Sequence, residues 1–201
     1  MKKITTIFKI NWVDHQRGDV TREVNPENQW VLDGEGVATR KWDGTAIMRK
    51  GAFLYKRYDR KMNPKTGEYK TPKEAWIACQ DPDPITHHWT GWLWVNPSDP
   101  ENKWIVQAFE EDADSIFDNG TYELIGPQIN GNPEHVDRLI FKKHGDVVYD
   151  IPKEKRNFDD LRQFLIDNEI EGIVFHHPDG RMAKLKRRDF GLKWAKKEVP
   201  V

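Results

Sequence analysis

The chain has 201 residues, of which 37% are apolar and 32% charged, with a net charge of −1, nine tryptophans and one cysteine. That length can bury a core without staples, and a single cysteine excludes an internal disulfide framework and a thiolate-rich zinc site, leaving Cys79 to be read as a small buried side chain. No stretch approaches the ~18 apolar residues of a membrane helix, so the expectation is a cytoplasmic monomer with no membrane partner.

From the N-terminus, MKKITTIFKINW has two lysines but no long apolar core or small-residue cleavage site, and reads as a first strand. VATRKW leads into a turn at Asp43-Gly44. TAIMRK and AFLYKRY form a hairpin around Lys50-Gly51, and residues 63–70 a polar loop. EAWIA (74–78) has the look of a short helix stopped by the prolines of DPDP. ITHHWTGWLWV alternates as a strand, NPSDPEN is a turn-rich break, and QAFEEDADSIF places Ala108, Phe109, Ala113, Ile116 and Phe117 at helical spacing. TYELIG is the next strand. Asn157 caps a second helix, with Asp159 and Asp160 in its first turn and Phe158, Leu161, Phe164 and Leu165 on one face. IEGIVFHH and RMAKLKR close the chain as two strands joined through Pro178-Asp179-Gly180. With no repeat, low-complexity tract or linker, one compact unit is expected.

The small net charge hides polarity. Residues 181–197 carry eight Lys or Arg against one Asp, KRYDRKMNPK (56–65) is also basic, and acids concentrate at 110–118. This distribution fits a phosphate-rich ligand on one face, and a solvated basic surface equally well.

The closing hairpin gathers charge. With a two-residue Asp179-Gly180 turn, or a His177-to-Gly180 one, opposed residues sum to an odd number, and Glu171 shares a face with Lys184 and Lys186. A three-residue loop reverses that unless a bulge restores it, and a surface salt-bridge ladder would carry the same residues. Earlier in the chain, Lys41 precedes a tight Asp43-Gly44 turn that lets the backbone come close to a ligand. Glu123 sits mid-strand between Tyr122 and Leu124, an awkward place for an unpaired acid. In order the chain therefore offers KWDG, YELIG, EGIV and KLK.

This order resembles that of the covalent nucleotidyltransferases, the ATP-dependent DNA and RNA ligases and mRNA capping enzymes, over about three-quarters of the chain. KWDG (41–44) looks like their motif I, YELIG (122–126) like motif III, EGIV (171–174) like motif IV and KLK (184–186) like motif V. ATRKWDGTA, RYDRK, TYELIGPQINGNP and EGIVFHHPDGRMAKLKRRDFGLKW are most similar to compact single-domain 5′-to-3′ RNA ligases of the vertebrate type. The resemblance implies an α+β nucleotidyltransferase (ATP-grasp-like ligase adenylation) domain spanning 1–201, with antiparallel sheets lining an ATP cleft and no C-terminal OB-fold, since fifteen residues follow Lys186.

It also implies the chemistry. Lys41 would attack the α-phosphate of ATP, giving lysyl-AMP; the AMP would pass to an RNA 5′-phosphate, and a 3′-hydroxyl would displace it and seal the strand, an RNA-repair reaction. A free lysine, with a pKa of about 10.4, must be pushed towards neutrality to attack. Lys184 and Lys186 would disfavour its charge and stabilise the transition state. Thr39, Arg40 and Gly44 would line the nucleotide site, Glu123 would hold the ribose, Arg57 the ribose or a phosphate, and Phe141 would stack on adenine. Asp43 would orient the nucleophile or the metal, and Glu171 with Asp43 would help hold magnesium, or manganese in its place. DNA ligases usually carry an arginine five residues after the nucleophile, where this chain has Ala46, which favours RNA over the alternative of DNA nick sealing. A non-catalytic nucleotide- or RNA-binding relative is the third reading; intact Lys41, Glu171, Lys184 and Lys186 count against it.

Other residues carry blander readings. Adjacent histidines, His87-His88 and His176-His177, face opposite ways on a strand and make a poor metal site, although His176 or His177 lies near the basic hairpin and could reach RNA. Asp81 and Asp83 are turn residues, the tryptophans at 89, 92, 94 and 104 read as core before base-stacking platforms, and Glu110 to Asp114 as a solvated helix face.

Overall fold

The computed structural model describes residues 2–193 apart from 15, 113–115 and 117. Contacts gather in two compact units: Ile4–Trp42 with His144–Val201, and Met1–Lys3 with Asp43–Lys143. The chain opens the first unit with β1 (Thr5–Thr6), β2 (Phe8–Val13), β3 (Gln16–Val24), α1 (Gln29–Leu32) and β4 (Val37–Lys41). It then builds the second with β5 (Thr45–Lys50), β6 (Phe53–Lys61), β7 (Trp76–Ala78), β8 (His88–Trp94), α2 (Lys103–Glu111), β9 (Gly120–Ile125) and β10 (Ile140–Lys143). It returns to the first with β11 (Val148–Tyr149), α3 (Phe158–Asn168), β12 (Gly172–His176) and β13 (Met182–Lys186). The α+β class with mostly antiparallel strands is borne out. No described helix is long and apolar enough to cross a membrane.

In the first unit a five-stranded sheet runs β1-β13-β12-β4-β11, antiparallel except for the β1–β13 pair, with β2–β3 as a separate hairpin. Alternation sends Ala38, Ile173, Phe175, Ala183 and Leu185 to one face, where they meet Leu161 and Leu165 of α3 and Trp30 and Val31 of α1 in one buried cluster. Each large side chain buried this way contributes roughly 1.5–3 kcal/mol. The helix begins where the sequence places it: Asn157 accepts from Asp160 N at 3.0 Å, and Asp159 and Asp160 occupy the first turn.

The second unit is a six-stranded antiparallel sheet, β10-β9-β5-β6-β8-β7. Ile47, Leu54, Tyr122, Leu124 and Phe141 pack with Ile105 and Ala108 of α2. α2 starts earlier than its apolar spacing suggested, because Asp99 accepts from Glu101 N and Pro100 opens a short 3-10 turn that feeds it. Of the predicted apolar stripe, Ala113 and Phe117 lie outside the described residues, as do residues 194–197 of the basic tail and Asp114 of the acidic run.

Two elements and one side chain depart from expectation. EAWIA is not helical: Trp76–Ala78 is strand β7, paired with β8. Trp76 packs so closely that a Cβ on Gly91 would stand 2.2 Å from its ring, and Trp76 Nε1 donates to Tyr58 O, so tertiary packing decides an ambiguous five-residue run. β8 starts at His88 and not at residue 85, since His87 (φ 52°) closes a turn onto Asp83 O. Trp92 is buried, and Trp89 packs edge-on against Trp76 and Tyr69 while donating to Gln80 O, as core and wall residues do. Cys79 is only half-buried, and Arg57 Nη1 lies 4.0 Å from its sulfur.

Candidate functional site

The closing hairpin has the even register, Gly172↔Lys186 and Val174↔Lys184, around the three residues Pro178-Asp179-Gly180. This corrects the expected odd register. Glu171 still reaches Lys186 because it lies one residue outside the paired strand, free of strict alternation, with its carbonyl accepting from Arg187 N.

On the other side of β12, β4 pairs Lys41↔Gly172 and Thr39↔Val174. Across three strands this gives two rows on one sheet face: Lys41, Gly172, Lys186, and Thr39, Val174, Lys184. The middle strand carries small side chains and its neighbours carry long polar ones, so the rows form a trough floored by Gly172 and Val174. Rows are two residues apart, about 6.7 Å along the strands.

Glu171 bridges the trough's mouth. Its Oε2 lies 2.5 Å from Lys41 Nζ and its Oε1 3.3 Å from Lys186 Nζ, with the three side chains 12–22% exposed. Lys41 Nζ also donates to Trp42 O at 3.3 Å. Burial, then the charges of Lys186 and Lys41, bring Lys184 down to about 8, against the opposing pull of Asp189 and Glu171. Lys186 is lowered too, chiefly by burial, while Glu171 works to raise it. The arrangement is an electropositive trough with one carboxylate.

Gly172 is required for it. A Cβ there would stand 2.3 Å from Leu185 O, so β12 and β13 approach too closely for any side chain. Gly172→Ala is expected to spread the two strands and lower the melting temperature by an amount equivalent to about 2–3 kcal/mol. Thermal melts of the variant check this; a native melting temperature would refute it.

Beyond the lysines, Thr39 Oγ1 donates to Val174 O at 3.2 Å and lies 3.0 Å from His176 Nε2. The hydroxyl has one hydrogen, so with it on Val174 the imidazole Nε2–H donates to Thr39. Burial, with His144 nearby, lowers the His176 pKa and keeps the ring neutral. Arg40, expected at the nucleotide, is on the other face of β4, its guanidinium 3.8 Å over the Trp42 ring.

The remaining expected site residues belong to the second unit. Gly44 N donates to Glu123 Oε1 at 3.1 Å, which explains the mid-strand acid. A Cβ on Gly44 would stand 2.1 Å from Leu124 O, so the close approach of β9 alone leaves no room for a side chain here. Asp43 N donates to Glu134 Oε1 at 2.8 Å, and Asn130 Nδ2 donates to Asp43 Oδ1 and Gly44 O. Neither Glu134 nor Asn130 was singled out from sequence; the signal available was the Asn130-Gly131-Asn132 turn, all three left-handed. Arg57 falls on the same sheet face as Glu123 by alternation, its guanidinium 5.6 Å over Trp92 and its Nε 3.5 Å from Asp59. Phe141 does not: it pairs with Leu124 on the opposite face and is 3% exposed in the core, which takes it away from the adenine-stacking role. Among the described residues no three His, Cys, Asp or Glu cluster as a metal cage.

Sequence comparison places the likeness among RNA ligases. The family model for RNA ligase 1 matches residues 113–201, which hold Glu123, Glu171, Lys184 and Lys186. RNA ligase 1 of Mus musculus is 27% identical over 79% of this chain and 68% of its own length; that of Rattus norvegicus is 26% identical over the same shares, and that of Pongo abelii 24%. The chain is thus similar to RNA ligase 1 over most of its length, as its motif order suggested.

Proposed function

We propose that the protein is an ATP-dependent RNA ligase with a nucleotidyltransferase fold, working through lysyl-AMP at Lys41. The observation that carries the reading is Glu171 joining Lys41 to Lys186 beside Lys184, on one face of the β4–β12–β13 sheet. A trough with three lysines and one carboxylate suits a phosphate ligand, and the similarity to RNA ligase 1 gives the reaction class.

Lys41 Nζ attacks the α-phosphorus of substrate ATP; the N–P bond forms as the P–O bond to pyrophosphate breaks. The amine must shed a proton first, and Glu171 Oε2 is the acceptor within hydrogen-bond distance. Lys184 and Lys186 lie where charge accumulates on the α-phosphate oxygens, inside a partly desolvated trough that strengthens their pull. An RNA 5′-phosphate oxygen then displaces Lys41 from the phosphorus, and an RNA 3′-hydroxyl finally attacks the 5′-phosphate and releases AMP. Val174 offers an apolar floor and Thr39 a hydroxyl beside it.

The donor set fits magnesium better than a metal that needs an all-protein cage, since that ion is held by one or two carboxylates together with substrate phosphates. Glu171 is the trough's carboxylate and would hold it, or manganese in its place. When bound, the ion would offset phosphate charge.

The test is incubation with α-labelled ATP and magnesium, followed by denaturing electrophoresis. A stable label on the protein is expected; no label on the native chain ends the reading. Nicked RNA, single-stranded RNA with a 5′-phosphate and nicked DNA then choose the substrate, RNA joining being expected. Faster sealing of nicked DNA would move the protein to the DNA ligases.

A further inference from the structure

Asp189 is a fully buried carboxylate that the proposed reaction does not use. It is the third residue of the 3-10 turn Arg187–Phe190 that follows β13, and its Oδ2 accepts from Lys186 N at 2.8 Å, the return half of a capping box. A cap of this kind needs neither burial nor a counter-ion. Here Oδ1 accepts from Arg17 Nη2 at 2.5 Å, and Arg17 lies on β3, 172 positions earlier in the chain. The same β3 strand reaches the turn at a second point, where a Cβ on Gly191 would stand 3.0 Å from Asp19 Oδ2. The β2–β3 hairpin is therefore tied to the main chain of Lys186, whose side chain shares Glu171 with Lys41.

We infer that Arg17 and Asp189 are positioning residues for the lysine trough: Asp189 fixes the main chain that presents Lys184 and Lys186, and Arg17 offsets the carboxylate's charge. The catalytic meaning of this pair rests on the adenylation reading; its electrostatic effect on Lys184 does not.

That effect separates the inference from simple structural support. The groups acting on Lys184 are Lys186 and Lys41, which lower its proton affinity along with burial, and Asp189 and Glu171, which raise it. Neutralising Asp189 removes an anion, so Asp189→Asn shifts the Lys184 titration to lower pH. Removing Arg17 leaves Asp189 unmasked, so Arg17→Met shifts it to higher pH. Structural damage alone has no reason to produce opposite shifts.

The experiment is NMR titration of the full chain labelled at lysine Cε, with the Lys184 resonance assigned by Lys184→Met. The native midpoint is expected near 8, with displacements of about 0.5 pH unit or more down in Asp189→Asn and up in Arg17→Met. The alkaline limb of ATP labelling should move in the same order. Midpoints equal to native in both variants, or moving the same way in both, overturn the inference. Should Asp189→Asn fail to fold, Arg17→Met decides alone: an upward shift supports the pair, and an unchanged or downward one refutes it. A native chain that forms no adenylate but keeps the titration order would sink the adenylation reading and leave the electrostatic coupling standing.

Discussion

If the protein works through lysyl-AMP, Lys41→Ala is expected to form no covalent adenylate with α-labelled ATP and magnesium, a loss of at least ~10⁴-fold, because no other amine can take over its place at the end of β4. Lys41→Arg is expected to be equally silent: it keeps a positive charge, but a guanidinium does not deprotonate to become a nucleophile. Neither change should unfold the protein. Glu171 retains Lys186 at 3.3 Å when Lys41 is gone, and strand pairing of β4 with β12 runs through the backbone. Melting temperatures within a few degrees of native, measured beside the labelling gel, would show that the lost activity is chemical. A label persisting on the alanine variant would prove the nucleophile wrong. Lys186→Ala should behave differently, slowing adenylate formation by roughly 10²-fold without abolishing it, since that residue only stabilises developing charge.

What the sequence disclosed about this site was order and type, and what it hid was register and long-range partners. α3 was readable because its signals are local: the Asn157 cap, two acids in the first turn and a single apolar face. The two closing strands of the trough were readable for the same reason. Their relative register was not, because it depends on whether the hairpin turn holds two residues or three, and Pro178-Asp179-Gly180 permits either. The error cost little, since Glu171 lies outside the ladder and reaches Lys186 and Lys41 from there. Phe141 shows the opposite case. An aromatic in a strand suggests a stacking platform, but one place along β10 moves a side chain from the ligand face to the core, and the pairing with Leu124 puts Phe141 in the core. Arg17 and Asp189 are 172 residues apart, and no local pattern marks them. EAWIA failed because five residues with one strong aromatic lack a period to read, and the sheet decided their conformation.

Lys184→Met carries the other large effect, and stability and activity should move in opposite directions. The folded protein holds Lys184 at about 8, below its ordinary 10.5, because burial and two neighbouring lysines penalise its charge. At pH 7 the ammonium is present in both folded and unfolded chains, and only the folded chain bears the full penalty. Between about 8 and 10.5 the unfolded chain holds a proton that the folded chain has released, so this residue's contribution to stability rises with pH through that window. Methionine, unbranched and of similar reach, removes the penalty altogether. The gap in proton affinity corresponds to an upper limit of about 3 kcal/mol, or on the order of 5–10 °C in melting temperature for a chain of this size. The gain should be full at pH 7, shrink above pH 8 and vanish near 10.5, while adenylate formation falls about 10²–10³-fold. Melts at pH 7, 9 and 10.5 with labelling at pH 7 measure both. A variant that melts at or below the native temperature at pH 7, or whose gain ignores pH, would show that Lys184 is not the buried, penalised cation its surroundings describe. Such a charge, kept in the trough against the fold's own stability, is what a site built to meet a phosphate would retain.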